Sequence, residues 1–419
     1  MKNWIPEKNI VKNVIDQYDT PVFLYDYQSI KENFLEISKK LENKFEVFYS
    51  LKANPNVSII KSFIENGAGL EVSSLTELES AIFAGAKPEN IIFVGPCKTE
   101  SEIERAIQLN ILAIICESLA ELFLIQKIAN NLNTNVQVMI RVNPAFEASG
   151  SALAMGGKPR QFGIDEEFLY ENKSLFLELK NVQIIGLHYY VGTRFLNHSD
   201  IITNTEKIFE SAEKLEKHFN MKFQIIDIGG GWGVPYYDNE KDLNRNRLTE
   251  GLVQLAERYK KNRDKNVKLI IELGRYLIAP HGILLTQAKY IKSSRDVNFV
   301  VIDGGTNVNL GSVGLGTFVK RNFPIKNLTN DNSIDVFTYN LAGPLCTPTD
   351  TVAKNISFPQ TKVGDVIATL AAGAYGPTAS PVYFLGHGYP AEVLFKNGKL
   401  HLIRERDTYN DLLKKQILV

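Results

Sequence analysis

The sequence predicts the α/β fold class, as a TIM (β/α)8 barrel followed by an antiparallel β domain. Three observations indicate this. Short apolar runs alternate with longer helical patterns from about residue 27 to residue 275. After about residue 280 these helical patterns stop, and Val-, Ile- and Thr-rich runs follow one another with Gly, Pro and Asn between them. The length of 419 residues favours two domains.

The first region contains strand-like runs that are apolar throughout, which is typical of strands buried on both faces of a parallel sheet. They are Val47–Tyr49, Leu70–Val72, Ile91–Val94, Ala113–Ile115, Val136–Ile140, Ile184–Leu187, Ile225–Ile228 and Leu269–Ile271. Helical patterns lie between them, such as Ser74–Ala84, which a capping box of Ser74 and Glu77 is expected to begin. Eight βα units predict a TIM barrel over residues 27–279, with a doubly wound open sheet as the alternative.

The second region predicts a β domain over residues 280–419. Its strand-like runs are Ile283–Tyr290, Asn298–Ile302, Val336–Ala342, Val366–Leu370 and Val393–Phe395. The segment Pro21–Tyr25 has the same character, so we expect residues 1–26 to contribute a strand to this domain.

Composition excludes several classes of protein. Lys plus Arg and Asp plus Glu both number 47, so no global charge favours nucleic acid or an anionic membrane. No apolar stretch reaches about 18 residues, and the N-terminus lacks the apolar run of a signal peptide. Cys97, Cys116 and Cys346 are too widely spaced for a disulfide framework or a metal site. We therefore expect a soluble, cytoplasmic protein without a metal.

Lys52 follows the first barrel strand, and active sites of parallel barrels lie at the C-terminal ends of the strands. Burial there would lower the pKa of the lysine and favour the neutral amine that forms a Schiff base. A lysine that snorkels at a strand end is the structural alternative, and for this residue taken alone it is the better explanation.

Two motifs follow the last two barrel strands. Gly229-Gly230-Gly231 would let backbone N–H groups surround a phosphate, although tight βα turns also use glycine runs. In Glu272-Leu273-Gly274-Arg275, the carboxylate could keep a pyridine ring protonated and the arginine could hold a phosphate. A salt-bridged pair at the barrel rim is the structural alternative for this second motif.

Together these motifs resemble those of the fold-type III pyridoxal-phosphate decarboxylases, the group of ornithine, arginine and diaminopimelate decarboxylases. The resemblance extends from about Tyr25 to Leu402. It rests on motifs that are specific as a set and occur in the family's order: Ser50–Asn54, Ile140–Pro144, Gly229–Gly231, Glu272–Arg275, Gly343–Cys346 and Gly373–Gly376. The family's architecture, a barrel followed by a β domain as in alanine racemase, is the one predicted above.

The resemblance implies that pyridoxal 5'-phosphate is the cofactor and assigns the site residue by residue. Lys52 would carry the cofactor as a Schiff base, Glu272 would pair with its pyridine nitrogen, and Arg141 would lie near its ring. The residues implied for the phosphate are Gly229, Gly230, Gly231, Arg275 and Tyr375, with Thr193 helping.

Cys346 resembles the cysteine that reaches in from the partner subunit and returns a proton to Cα after carbon dioxide leaves. The resemblance therefore implies a homodimer with shared active sites. The usual environment of a free cysteine, a small buried hydrophobe, is the structural alternative.

The chain departs from the family at the ring-stacking position. The family has a motif like His-x-His-Ile-Gly-Ser, whereas this chain has His188-Tyr189-Tyr190-Val191-Gly192-Thr193. Tyr190 is therefore expected to stack on the cofactor ring. For His188, a hydrogen-bonded barrel histidine and a role in the site are both open.

Other departures concern the substrate. Diaminopimelate decarboxylases carry Arg-Pro-Ala-Leu-Tyr after Asp-Gly-Gly, and a Cys-Glu-Ser segment, and both bind the distal end of the substrate. Here residues 306–316 contain no arginine, and Cys346 is followed by Thr347-Pro348-Thr349-Asp350. A clamp for a distal carboxylate is therefore not expected, which argues against meso-diaminopimelate.

Residues 150–163 follow the fifth barrel strand, and their glycines predict a mobile or tightly turned lid in which Arg160 and Gln161 face the substrate. With Cys346–Pro348 and Ser380–His387, this segment is similar to a subgroup that includes the glutamyl-carrier-protein decarboxylase of butirosin biosynthesis. A decarboxylase of a citrate-type siderophore pathway is more distantly similar. Such relatives act on amino acid units attached to larger molecules.

Three functional hypotheses follow. The first is a pyridoxal-phosphate decarboxylase of a carrier-bound or conjugated amino acid in specialised metabolism such as antibiotic biosynthesis. The second is a decarboxylase of free diaminopimelate, lysine or ornithine. The third is a non-catalytic pyridoxal-phosphate-binding protein, against which the β domain and Cys346 argue. Cys346 and Glu272 also argue against a racemase, which prefers an unprotonated pyridine.

Overall fold

The computed structural model describes residues 3–150, 153–261, 267–313, 321–330 and 335–419. The chain divides into two compact units. The barrel unit comprises Lys31–Val234 and Asp242–Tyr276, and the β unit comprises Met1–Ile30, Pro235–Lys241 and Leu277–Val419. The domain bounds expected above, 27–279 for the barrel and 280–419 with 1–26 for the β domain, stay a prediction.

The strands, in chain order, are β1 Val22–Asp26, β2 Glu46–Ser50, β3 Gly69–Val72, β4 Ile91–Phe93, β5 Ala113–Cys116, β6 Val136–Asn143, β7 Leu153–Ala154, β8 Ile164–Asp165, β9 Val182–His188, β10 Gly192–Thr193, β11 Ile225–Gly230, β12 Lys268–Leu273, β13 Gly282–Ser294, β14 Val297–Ile302, β15 Ile325–Asn327, β16 Val336–Ala342, β17 Thr351–Pro359, β18 Val366–Thr369, β19 Ala391–Lys396 and β20 Lys399–Arg404.

The α-helices are α1 Lys8–Tyr18, α2 Tyr27–Lys40, α3 Val57–Ile64, α4 Leu75–Phe83, α5 Glu100–Leu109, α6 Leu119–Asn131, α7 Glu166–Glu171, α8 Lys173–Leu177, α9 His198–Phe219, α10 Arg245–Lys261, α11 Arg275–Ile278 and α12 Tyr409–Leu413.

The barrel unit contains a closed sheet of parallel strands in the order β2-β3-β4-β5-β6-β9-β11-β12, with β12 pairing back to β2. This closure confirms the predicted TIM barrel and excludes the open sheet, and each predicted run forms one of its strands. Apolar side chains from most of these strands pack in one cluster, which includes Phe48, Ile92, Met139, Ile225 and Ile270. At Gly69 a Cβ would lie 2.5 Å from the Phe48 ring, so a glycine is required there.

The start of helix α4 was predicted in part. Ser74 is the N-cap as expected, because its side chain accepts a hydrogen bond from the Glu77 N–H. The expected return bond to Ser74 is wrong: the Glu77 carboxylate accepts from the N–H of Ser73, one residue earlier, at 2.7 Å. The first bond satisfies an N–H group of the first turn that has no partner within the helix, and the second satisfies the N–H of Ser73, before the helix.

The segment Leu153–Gly163 crosses the C-terminal ends of neighbouring barrel strands, and we call it the crossing segment. Its β7 pairs antiparallel with β10, and the following β8 pairs in parallel with β6. The Asn143 side chain accepts from Gly157 N–H at 2.9 Å and donates to the Lys158 carbonyl at 3.2 Å. The described residues of this segment are thus held by strand and side-chain hydrogen bonds, and their role as a lid stays a prediction.

The β unit contains a sheet in the order β17-β16-β14-β13-β1-β19-β20, and β18 pairs with β13 and β15. Most pairings are antiparallel, as predicted, but β1–β19 and β14–β16 are parallel. The expected strand near the N-terminus is β1, which lies between β13 and β19. Helix α1 packs on this sheet through Val11 and Val14, which share a core cluster with Val22 and Leu24.

Among the residues that the structure describes, we find no helix with both the length and the apolar character needed to cross a bilayer.

Candidate active site

Lys52 lies in a short 3-10 turn, Leu51–Ala53, directly after β2. Its Nζ lies 3.1 Å from Oε2 of Glu71, a fully buried carboxylate at the end of β3. The burial expected for Lys52 is only partial in the single chain, because 37% of its side chain is exposed. The amine therefore lies at the open end of the barrel, where a buried carboxylate fixes its position.

Glu272, in β12, pairs with His188, at the end of β9. The His188 Nε2 lies 3.2 Å from Oε1 of Glu272, and both side chains are buried. Burial alone would raise the pKa of Glu272, but His188, with the more distant Lys52 and Arg141, lowers it below its ordinary value. Glu272 is therefore ionised, and His188 contacts a predicted site residue directly.

Asp227, in β11, is the third buried polar group of this cluster. One oxygen each of Asp227 and Glu272 and a ring nitrogen of His188 all lie within 4.8 Å of one another. Burial, followed by the negative charge of Glu272, raises the pKa of Asp227 well above its ordinary value. Of the two carboxyl groups, Asp227 is therefore the one that keeps its proton to higher pH.

The Tyr190 ring lies beside two cations. The Lys52 Nζ is 5.3 Å from its centroid, and the Arg141 guanidinium is 6.0 Å from it. Arg141 also lies 4.7 Å from the Phe162 ring and donates to Glu117 at 2.7 Å. The face of a tyrosine ring attracts such cations through its quadrupole, so the Tyr190 ring can serve as a flat aromatic surface in the site.

The glycine run is required by close packing within the barrel unit. A Cβ on Gly230 would lie 1.6 Å from the Glu272 carbonyl oxygen, and one on Gly231 would lie 2.2 Å from that of Gly192. The Gly229 N–H already donates to Asp227 at 2.8 Å. Packing thus accounts for these glycines, and their role in binding a phosphate stays a prediction.

The remaining predicted residues fall into three places. Thr193 (in β10) and Arg275 (the first residue of α11) belong to the barrel unit and are half-buried. Arg160 and Gln161 are exposed in the crossing segment. Cys346 and Tyr375 belong to the β unit.

Cys346 is exposed, so it is not the small buried hydrophobe of the structural alternative. Tyr375 has a φ of 55°, which is uncommon for a residue with a side chain and is typical of functional or strained positions. The roles expected for both residues stay predictions.

Sequence reasoning missed three acidic residues of the site, namely Glu71, Glu117 and Asp227. Each lies within or directly after a strand-like run that is otherwise apolar. A charged residue in a strand buried on both faces needs a partner, and that was the available signal. The identity of each partner depends on strands that are distant in the sequence.

Comparison with known proteins gives a consistent result. The family model "Pyridoxal-dependent decarboxylase, pyridoxal binding domain" matches residues 27–279. The chain is 36% identical over 404 residues to the L-glutamyl-[BtrI acyl-carrier protein] decarboxylase of Niallia circulans, covering 96% of this chain and 94% of that protein. It is 30% identical to the diaminopimelate decarboxylase of Helicobacter pylori strain J99, covering 97% and 98% of the two chains.

Solved structures agree with these relatives. The crystal structure of diaminopimelate decarboxylase from M. jannaschii in complex with L-lysine matches with a TM-score of 0.90 and 28% identity, covering 98% of this chain and 94% of that chain. The match therefore extends over both units.

Proposed function

This chain belongs to the pyridoxal-dependent decarboxylases, and on that premise we propose that its substrate is an amino acid joined to a carrier protein or to a larger acid. It is a carboxy-lyase with pyridoxal phosphate as cofactor. The identity of its substrate, its shared active site and the role of each residue are the proposal.

The described residues fit this cofactor. Lys52 offers an accessible amine for the aldehyde, and the ionised carboxylate of Glu272 suits a protonated pyridine nitrogen. When bound, pyridoxal phosphate accepts the electron pair that departing carbon dioxide leaves on Cα. The residues that would hold it are Lys52, Arg141, Tyr190, Thr193, Gly229, Gly230, Gly231, Glu272, Arg275 and Tyr375.

In this proposal, three side chains of the barrel unit determine where protons and negative charge lie beside the cofactor. Asp227 keeps its proton and His188 donates to Glu272, so Glu272 presents the one negative charge of the cluster to the ring. Tyr190, where the family has a histidine, would offer the cofactor ring a phenol face in place of an imidazole. These residues hold protons at fixed atoms and leave proton return to Cα to another group.

One observation carries the choice of substrate: the 36% identity to a decarboxylase whose name specifies a glutamyl unit on a carrier protein, over 96% of this chain. The missing arginine after Asp303-Gly304-Gly305 supports it, since a tethered substrate has no free distal carboxylate to bind. The exposed Arg160 and Gln161 would then contact the tether.

Mass spectrometry of free and carrier-bound amino acids tests this choice. Incubation with the enzyme should reduce the mass of a carrier-bound aminoacyl group by one carbon dioxide and leave the free amino acid unchanged. Decarboxylation of the free amino acid at an equal or higher kcat/KM would overturn the proposal.

The second candidate is a decarboxylase of free diaminopimelate, lysine or ornithine. The full-length match to diaminopimelate decarboxylases favours it. The same measurement decides between the two, because only this candidate predicts loss of carbon dioxide from the free amino acids.

We further propose a homodimer in which the Cys346 thiol of one subunit returns the proton to Cα in the site of the other. Lys52→Ala and Cys346→Ala chains should each be inactive as homodimers. A mixture should regain activity, because one of the two sites in a mixed dimer keeps both residues. No recovery, with subunit exchange demonstrated by differently tagged chains, would show that the site is not shared.

A further inference from the structure

Glu117 is a buried carboxylate to which the chemistry above gives no role. It lies directly after β5 and is 4% exposed. Its Oε1 accepts hydrogen bonds from Arg141 at 2.7 Å and from the Gly95 N–H at 3.1 Å. Its Oε2 accepts from the Gly163 N–H at 3.1 Å. One carboxylate thus joins the ends of β4 and β6 to the end of the crossing segment.

A second buried ion pair, between Lys98 and Glu121, fixes the backbone of Glu117. The Glu117 N–H donates to Oε2 of Glu121 at 2.7 Å, and Oε1 of Glu121 accepts from Lys98 at 2.6 Å. The Lys98 amine also donates to the carbonyl oxygens of Gly95 and Ile115, each at 2.7 Å. Glu117 is therefore held in place by its own backbone and cannot easily follow a change at its side-chain oxygens.

The crossing segment packs onto Arg141 itself. Gly163 has a φ of +75°, and a Cβ there would lie 3.0 Å from the Arg141 carbonyl oxygen and 3.0 Å from the Asn143 nitrogen. The preceding Phe162 ring lies 4.7 Å from the Arg141 guanidinium. Arg141 is therefore bonded by Glu117, whose other oxygen accepts from Gly163, and stacked by Phe162, the residue before Gly163.

We propose that Glu117 is a positioning residue that makes the orientation of Arg141 depend on the seating of the crossing segment. When the segment is seated, the shared carboxylate and the Phe162 ring hold the guanidinium toward the cofactor side of the barrel. When Gly163 leaves, Arg141 loses its stacking partner, and Glu117 loses one of its three donors. This inference rests on the proposed function only in giving Arg141 a place beside the cofactor.

The first experiment needs no cofactor. Arg160 is exposed in the crossing segment, whereas Lys158 precedes a proline and resists trypsin. In cofactor-free protein, Glu117→Gln and Gly163→Ala should each speed cleavage after Arg160 by about tenfold or more, because local opening governs such cleavage. Glu79→Gln, which breaks the exposed ion pair with Arg105, is the matched control and should not change it. Cleavage at the natural rate in both test variants would overturn the inference.

The second experiment separates positioning from a merely structural role. Affinity for pyridoxal phosphate is measured for Glu117→Gln, for Arg141→Gln and for the double variant. If Glu117 acts through Arg141, its substitution weakens binding about tenfold alone and adds little in the Arg141→Gln background. Additive effects would show that Glu117 acts independently of Arg141.

The two experiments also distinguish failure of the inference from failure of the proposed function. If the natural protein does not bind pyridoxal phosphate, the proposed function is wrong, while the trypsin result still reports on the crossing segment. Should Glu117→Gln not fold, Gly163→Ala takes its place in the same double-variant comparison, with the same contradicting outcome.

Discussion

Two adjacent layers of the barrel unit contrast sharply, although the same strands supply both. The lower layer contains Met139, Ile225 and Ile270, which are buried and apolar. Two residues further along the same strands lie Arg141, Asp227 and Glu272, which are buried and polar or charged. Residues i and i+2 of a strand share a face, so each strand places one side chain in each layer.

The difference separates stability from chemistry. The apolar layer stabilises the barrel by removing carbon from water, and any apolar side chain of similar volume and shape serves that purpose. In the polar layer each group depends on one specific partner, as Glu272 does on His188 and Arg141 on Glu117. Substitutions in the two layers should therefore affect different measurements.

The largest effect on turnover is expected at Lys52. Lys52→Ala removes the amine that binds the cofactor covalently and should lower kcat by about 10³-fold or more. Borohydride reduction of the natural protein followed by peptide mapping should place the cofactor on Lys52. A label on another lysine would refute the assignment.

A strong effect on turnover, with little effect on folding, is expected at Glu272 in the polar layer. Glu272→Gln removes the negative charge that the ring nitrogen needs, so kcat should fall by about 10²- to 10³-fold while the cofactor stays bound. Steady-state kinetics and absorbance of the bound cofactor measure the two quantities. Turnover like that of the natural protein would remove Glu272 from the chemistry.

The opposite result is expected for Met139, which lies in β6 two residues before Arg141. Met139→Ala, in the apolar layer, should lower the free energy of unfolding by about 2–5 kcal/mol. The kcat per folded molecule should change less than about twofold, since no charge or hydrogen bond of the polar layer is lost. A kcat loss comparable with that of Glu272→Gln would show that the layers are not separable.

The smallest effect is expected at Asp227, where the polar layer opposes folding. The folded chain keeps this carboxyl protonated, because its pKa is raised, whereas the unfolded chain loses the proton near the ordinary value of 3.8. Stability therefore falls as pH rises from there toward the folded pKa. Asp227→Asn cannot ionise, so its free energy of unfolding should exceed that of the natural protein at pH 7.

Urea unfolding at pH 5 and pH 7 measures this, and the advantage of Asp227→Asn should be smaller at pH 5. A variant that is less stable than the natural protein at pH 7 would mean that Asp227 is ionised in the folded chain.

Much of the fold could be predicted because buried parallel strands have a strong local signal. Each barrel strand is a short apolar run, and no long-range information is needed to find it. Strand β17 was missed because Lys354 and Asn355 interrupt its apolar residues, and Asn355 has a φ of 50° that breaks the regular strand. Helix α1 was missed although Val11 and Val14 mark its buried face.

The site could be predicted only where motifs name the residue. Lys52 and Glu272 lie in such motifs, and the structure places both in one barrel unit. The partners Glu71, His188 and Glu117 depend on side-chain distances between strands, which the order of residues does not reveal. The partial exposure of the Lys52 side chain could not be predicted either, because the burial of β2 does not determine how exposed a residue is at the open end of the barrel.

The position of β1 has a consequence for synthesis of the chain. Val22 pairs with Leu285 on one side and with Ala391 on the other. A ribosome delivers the N-terminus first, so β1 emerges long before either neighbour exists, while every strand of the barrel has emerged by residue 273. Until Ala391 leaves the ribosome, β1 keeps an unpaired edge, and a nascent chain stalled before that point would expose a strand able to pair with other polypeptides.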